Sequence, residues 1–149
     1  MRVYIYSRDT VEKLINHDFP ENVAVISFYD PPGRYGISEP AVDYKGRAKN
    51  LFQVAVYDID AKILGHFGLT LDTYFTEAEE LAEFIYEAYR EGMDIICQCE
   101  YGHSRSAGCA AAIKEHFEKD GITIFRDYRY SPNQLIFNKV YDALEGVKE

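Results

Sequence analysis

The stretch from Asp94 to Ile113 constrains the fold of this chain more than any other. It opens on the apolar run Ile-Ile-Cys-Gln-Cys, which favours a buried strand, and it closes on Ala-Ala-Ala-Ile, which favours a helix. Between them, Gly102 and Gly108 permit a tight turn or close packing. A strand that passes through a short loop straight into a helix is the building unit of α/β folds with a parallel sheet.

The remainder of the chain repeats this alternation of apolar runs and helical patterns. We predict strands at residues 3–6, 23–28, 51–57 and 94–99. We predict four helices. The first has a capping pair at Asp9 and Glu12 and ends near Asn16, and the second has a capping pair at Thr76 and Glu79 and ends at Gly92. The third runs from near Arg105 towards Gly121, and the fourth begins at Ser131 with Pro132 in its first position and buries Leu135, Ile136, Val140 and Leu144. The chain is therefore predicted to be one α/β domain over residues 1–149, with a largely parallel sheet of four to five strands flanked by helices.

The charge and cysteine content narrow the classes of partner. A net charge of -9 disfavours nucleic acid and anionic membranes, which select for clustered Lys and Arg. The N-terminus resembles no signal peptide, no apolar run is long enough to span a membrane, and the three cysteines form no disulfide pattern. We therefore expect a cytoplasmic protein; its oligomeric state stays open.

The segment 30–50 resists assignment, because it combines several Pro and Gly residues with charges. A loop of this length in a small domain is either functional or a plain surface excursion, and the sequence favours neither. Its Arg34 and Arg47 could help to hold a phosphorylated substrate or could be solvated charges.

The loop at residues 99–106, Cys-Glu-Tyr-Gly-His-Ser-Arg-Ser, has the features of a phosphate cradle. The backbone N–H groups of residues 100–105 can point inward at the start of the following helix, where a dianion is favoured. Arg105 can grip two phosphate oxygens with its planar guanidinium. Cys99, beside these donors, should be substantially thiolate and nucleophilic at neutral pH, and Ser106 could hydrogen-bond it.

The run from Cys99 to Gly108 resembles the active-site loop of the dual-specificity branch of the protein tyrosine phosphatase superfamily. Strings at residues 28–31, 56–60 and 130–133 are similar to those of small bacterial phosphatase-like proteins, so the resemblance covers most of the chain. It implies a phosphotyrosine-phosphatase-like fold and no metal or cofactor. Where the family usually has His before the nucleophile, this chain has Gln98.

The resemblance also implies a role for each loop residue. The cysteine attacks phosphorus to form a thiophosphate intermediate, the arginine binds the phosphoryl group, and an Asp from a separate loop acts as acid and then as base. The catalytic residues would be Cys99, Arg105 and Ser106 together with an aspartate, and the phosphate-binding residues would be Glu100, Tyr101, Gly102, His103, Ser104 and Arg105.

Three aspartates are candidates for the acid that protonates the leaving oxygen. Asp58 follows a predicted strand at the same sheet edge as Cys99 and matches the position of the family's acid, so we favour it. Asp60 is the second candidate, one short turn further on. Asp72 fits better as a carboxylate near the start of a helix. Residues 63–70 should form a longer loop between Asp58 and the helix.

The predicted function is hydrolysis of phosphomonoesters, above all protein phosphotyrosine and also phosphoserine or phosphothreonine. The substrate would be a phosphorylated protein or a small phosphomonoester. Three alternatives remain: a phosphate-binding pseudophosphatase, a rhodanese-like sulfurtransferase and an arsenate reductase. Cys97 and Cys109 are either resolving thiols for an oxidised Cys99 or small buried hydrophobic residues.

Overall fold

Every strand of the central sheet is parallel to its neighbours. The computed structural model describes residues 1–33 and 40–148. The elements in chain order are β1 (Val3–Tyr6), α1 (Arg8–Asn16), β2 (Val23–Tyr29), β3 (Asn50–Ala55), a 3₁₀ helix (Ala61–Phe67), α2 (Ala78–Arg90), β4 (Asp94–Gln98), α3 (Arg105–Glu118), α4 (Ile122–Phe125) and α5 (Gln134–Glu145). This arrangement confirms the predicted α/β fold and its four-stranded parallel sheet.

The strands lie in the order β1-β4-β2-β3, which places β4 in the interior of the sheet. Gln98, the last residue of β4, pairs with Tyr6 of β1 and with Ser27 of β2. The carboxyl ends of parallel strands lie at the same end of the sheet. Cys99, which follows β4, therefore lies between the carboxyl ends of β1 and β2. This is the crevice in which open α/β sheets bind ligands.

Apolar side chains cover both faces of the sheet. The larger cluster packs β2, β3 and β4 against α2, α3 and α5, and it includes Ile26, Ile85 and Ile136. The smaller cluster packs the other face against α1 and the segment that carries Val42 and Tyr44. Two covered faces explain why the strands read as continuous β-branched runs and not as alternating patterns.

The helix starts differ from the prediction. Ser7, not Asp9, caps α1 by accepting a hydrogen bond from Thr10 N at 3.1 Å. α2 begins at Ala78 without a side-chain cap, while the Thr76 hydroxyl contacts Glu77 at 3.3 Å. The residues before each helix compete for the capping position, and the tertiary path of the chain decides between them.

The start of α5 is the most informative of these corrections. The prediction placed it at Ser131 and Pro132, but the helix begins at Gln134 and is capped by Asn133, which accepts a hydrogen bond from Ile136 N at 2.9 Å. The four core residues predicted for this helix, Leu135, Ile136, Val140 and Leu144, are all buried.

Between β3 and α2 the chain is more regular than predicted. β3 ends at Ala55, two residues before the predicted end, and residues 61–67 form a 3₁₀ helix where a loop was expected. Asp60 caps this helix by accepting a hydrogen bond from Lys62 N at 2.9 Å. Of the segment 30–50, residues 34–39, which include Arg34, lie outside the described residues.

Within residues 1–33 and 40–148, no helix is long and apolar enough to cross a membrane.

Candidate active site

Flanking backbone segments hold the loop between β4 and α3 from the outside. Arg8 N donates to Glu100 O at 3.0 Å, Ser131 N donates to His103 O at 2.9 Å, and Asn133 N donates to Ser104 O at 3.0 Å. These bonds turn the loop carbonyls away from the loop centre. Within one trans peptide the C=O points opposite to the N–H of the next residue, so the N–H groups of Tyr101, Ser104 and Arg105 are left to face inward.

The inward amides form an unfilled set of donors. In the part of the chain that the structure describes, the backbone N–H groups of residues 100–104 donate no hydrogen bond. Gly102 makes the curl possible: it has a φ of +69°, and a Cβ there would lie 2.8 Å from Ser7 N. Unpaired amides at a helix N-terminus form an anion-binding concavity.

Arg105 lies beneath this concavity and is 5% exposed. Its Nη1 donates to Asp30 Oδ1 at 2.7 Å and to the carbonyl of Val56 at 2.9 Å. Its buried Nε has no hydrogen-bond partner among the described residues. A buried donor without an acceptor costs about 1–3 kcal/mol, so the site has an energetic reason to take up an anion.

The Cys99 thiol is 3% exposed and lies at the start of the same loop. Its Sγ is 3.0 Å from the Ser106 hydroxyl, in the first turn of α3. The structure thus brings Cys99 into contact with Ser106, and Arg105 precedes Ser106 in the first turn of α3. The hydroxyl can donate to a thiolate at this distance.

Gln98 occupies the centre of a buried polar network below Cys99 and is 1% exposed. Its Nε2 donates to the Cys99 carbonyl at 3.0 Å, while its Oε1 accepts from the Ser27 hydroxyl and, at 3.0 Å, from the Tyr44 hydroxyl. Burial raises the pKa of Tyr44, which keeps this phenol neutral and able to donate. The amide therefore clamps the backbone of Cys99 without introducing a charge.

Asp58 reaches the loop from the end of the β3 segment. Its Oδ1 accepts hydrogen bonds from the Ser104 hydroxyl at 2.6 Å and from Asn133 Nδ2 at 2.9 Å. Of the three aspartates considered, Asp58 is the one with a direct bond to the loop. Asp60 is engaged as a helix cap, and Asp72 is exposed beside the start of α2.

The other predicted loop residues divide by exposure. Tyr101 and His103 point outward and are exposed, with His103 Nδ1 at 3.1 Å from the carbonyl of Arg129. The Glu100 carboxylate pairs with Arg8 Nε at 2.7 Å. Only the backbone of these three residues can therefore contribute to the concavity.

Arg47 lies away from the loop. Its guanidinium donates to the carbonyls of Ile15 and His17 at the end of α1, at 2.6 and 3.1 Å. It thus holds the chain together at the opposite edge of the sheet from Cys99. The structure therefore does not bring Arg47 to the loop, and its guanidinium is bound to backbone carbonyls instead.

Cys97 and Cys109 are completely buried and are free thiols. Burial raises the pKa of Cys97 well above its usual range, and contact with Cys109 adds to the effect. Both behave as small buried residues between β4 and α3.

The sequence analysis missed four residues of the site: Asp30, Asn133, Ser27 and Tyr44. Asp30 and Asn133 belong to the strings that carried the resemblance, so a signal was present, but nothing in the spacing indicated their contacts. Ser27 and Tyr44 meet Gln98 through sheet pairing and through a long connection, neither of which a local pattern reveals.

The overall fold is that of the dual-specificity and tyrosine phosphatases. The chain resembles PTPMT1 in complex with PI(5)P (TM-score 0.55, 14% identity, 97% of this chain and 90% of that chain). It also resembles human DUSP28 (0.54, 18%, 96% and 88%) and Tk-PTP in the active form (0.54, 16%, 99% and 94%). No family profile and no curated protein sequence matches the chain.

Proposed function

We propose that this protein is a metal-independent cysteine phosphatase that hydrolyses phosphomonoesters, above all protein phosphotyrosine. The observation that carries the proposal is a set of donors in the loop that starts at Cys99 and in the helix after it. The amides of residues 100–104 and the buried Nε of Arg105 have no acceptor among residues 1–33 and 40–148. A tetrahedral dianion supplies acceptors for all of these donors, and no apolar ligand does.

The reaction proceeds in two displacements. The Cys99 thiolate attacks phosphorus, and as the S–P bond forms the ester P–O bond breaks. Asp58 gives its proton to the leaving oxygen, while Arg105 and the loop amides bind the equatorial oxygens. In the second step Asp58 takes a proton from water, the water oxygen bonds to phosphorus, and Cys99 leaves as a thiolate that accepts a hydrogen bond from Ser106.

The charges around the loop favour a phosphotyrosyl side chain over a phosphoinositide, although one structural neighbour was solved with PI(5)P. Residues 99–106 contain no lysine, and the one acidic residue there, Glu100, is neutralised by Arg8. Additional phosphate groups on a lipid headgroup would need further cations at the rim.

Hydrolysis of p-nitrophenyl phosphate by the pure protein tests the proposal. We expect vanadate-sensitive turnover that falls by at least about 10³-fold in Cys99→Ser. Cys109→Ala is the matched control, because it removes a buried thiol from the same core and leaves the loop intact.

Each alternative function predicts a different result when the pure protein is tested with other ligands and substrates. Tungstate binding without turnover would identify a pseudophosphatase. Turnover of thiosulfate or arsenate in place of the phosphate ester would identify a sulfurtransferase or an arsenate reductase. Activity that persists in Cys99→Ser would overturn the assignment of the nucleophile.

A further inference from the structure

We propose that Asn133 and Ser104 are positioning residues for the general acid: together they hold Asp58 by one oxygen and leave the other to carry the transferred proton. The inference rests on the proposed function and assigns these two side chains to one step, the protonation of the leaving group.

The two hydrogen bonds to Asp58 converge on a single atom. Ser104 Oγ and Asn133 Nδ2 lie 2.6 and 2.9 Å from Oδ1, whereas Oδ2 accepts no hydrogen bond from the described residues. In a carboxylic acid, the carbonyl oxygen accepts hydrogen bonds and the other oxygen carries the proton. The paired donors therefore assign the proton to Oδ2.

Asn133 is itself fixed by further hydrogen bonds of its side chain and backbone and is 7% exposed. Its Nδ2 also donates to Ile59 O at 3.1 Å, its Oδ1 accepts from Ile136 N at 2.9 Å, and its backbone N donates to Ser104 O at 3.0 Å. One side chain thus joins the Asp58 segment and the first turn of α5, while its backbone joins the phosphate loop. Because Asn133 is held by both its side chain and its backbone, its bond to Asp58 leaves the Asp58 carboxyl group little freedom to rotate.

Ser104 serves the same acid from the phosphate loop. Its carbonyl accepts from Asn133 N and from Gly108 N, so its backbone is fixed independently of its side chain. Its hydroxyl can therefore donate to Asp58 without disturbing the loop. The phosphate-binding role that the sequence analysis gave to Ser104 is assigned to its backbone N–H. The acid and the phosphate site therefore share one rigid frame.

The dependence on leaving group tests the inference. A tyrosine hydroxyl has a pKa of about 10 and must be protonated as it leaves, whereas p-nitrophenolate is a stable anion that needs little help. Ser104→Ala removes one donor and keeps the loop backbone. Asn133→Ser removes the other donor and keeps a good N-cap for α5. Gln134→Ala, at the exposed position next to Asn133, is the control.

We expect each variant to lower kcat/KM for a phosphotyrosyl peptide by about 10-fold or more and for p-nitrophenyl phosphate by less than about 3-fold. In an Asp58→Ala background, adding either substitution should change the peptide rate by less than about 2-fold, because the residues act through Asp58. Gln134→Ala should match the wild type on both substrates. Thermal unfolding confirms that each variant is folded.

Equal losses on the two substrates, or a full additional loss in the Asp58→Ala background, would show that Ser104 and Asn133 are merely structural and would overturn the inference. A wild type without turnover dependent on Cys99 would instead remove the proposed function, and the inference with it.

Discussion

Gln98 places a neutral amide directly before Cys99. An imidazole at this position could change its charge between pH 5 and 8, but an amide cannot. The hydrogen bond from Gln98 to the Cys99 carbonyl and the bonds from Ser27 and Tyr44 are therefore insensitive to pH over this range. The geometry below Cys99 is held by a network whose members are all buried or nearly so.

We predict that Gln98→Leu destabilises the protein by about 3 kcal/mol, because it leaves buried hydroxyls and a carbonyl without a partner, each worth about 1–3 kcal/mol. Urea unfolding monitored by circular dichroism measures the change. Gln134→Leu, at the exposed start of α5, is the matched control and should stay within about 0.5 kcal/mol of the wild type. If Gln98→Leu were as stable as the wild type, the network would not bind the Cys99 backbone.

Single residues also show what a sequence can reveal about a site. The contact between Cys99 and Ser106 was predictable because both residues lie in one short segment, where spacing determines geometry. Asp30 pairs with Arg105 across 75 residues, and its position at the end of β2 marks it only as one of many acidic residues. Its partner becomes evident only when the strand order is known.

At the scale of elements, the approach of α3 to the start of α5 assembles the site. A Cβ on Gly108 of α3 would lie 2.6 Å from the carbonyl of Asn133, so glycine alone allows this contact. Through it, the first turn of α3 and the cap of α5 both reach the loop segment that ends at Ser104.

We predict that Gly108→Ala destabilises the protein by about 2 kcal/mol, because a methyl group pressed on fixed backbone forces the two helices apart. Displacement of Asn133 should also lower turnover. Gly65→Ala is the control: a Cβ at Gly65 meets nothing within 4 Å, and stability should be unchanged or slightly higher. Thermal unfolding and kinetics on a phosphotyrosyl peptide, run on both variants, check the prediction, and an equal response of the two would contradict it.

Element types were predictable because the apolar periodicity was strong, whereas their boundaries were not. The start of α5 illustrates the reason. Pro132 is a favourable first helical residue, but Asn133 caps the helix because its side chain and backbone are also bound to Asp58, Ile59 and Ser104. Contacts with residues distant in sequence set the start of α5, and such contacts cannot be inferred from the local helix propensity.

At the scale of the whole molecule, a chain with a net charge of -9 needs few cations for the proposed anion site. Among the described residues the backbone supplies most of the donors of that site, and Arg105 adds its guanidinium. Acidic side chains elsewhere do not cancel this local field, because solvent-exposed charges beyond about 10 Å are largely screened at 0.1 M salt.

The acidic surface makes stability depend on pH, and the end of α5 offers a defined instance. Glu145 accepts a hydrogen bond from the Tyr141 hydroxyl at 2.8 Å, and its Oε2 lies 2.9 Å from Nδ1 of His116 on α3. The bond from Tyr141 is the main cause that lowers the pKa of Glu145, and the proximity of His116 adds to it. The folded state therefore binds a proton at this carboxylate less readily than the unfolded state does.

The sign of the effect follows from this lowered pKa. The contribution of Glu145 to stability is fully present above the usual pKa of 4.5 and is lost as the pH falls through the lower pKa of the folded state. In Tyr141→Phe the ring keeps its stacking on Phe137, and only the hydroxyl is lost. The variant should therefore be less stable than the wild type at pH 7 and equal to it at pH 3. Urea unfolding across this range measures the difference, with Tyr128→Phe, 98% exposed, as the control that shows none at either pH. A difference that persisted at pH 3 would place the contribution of Tyr141 in packing and not in its bond to the carboxylate.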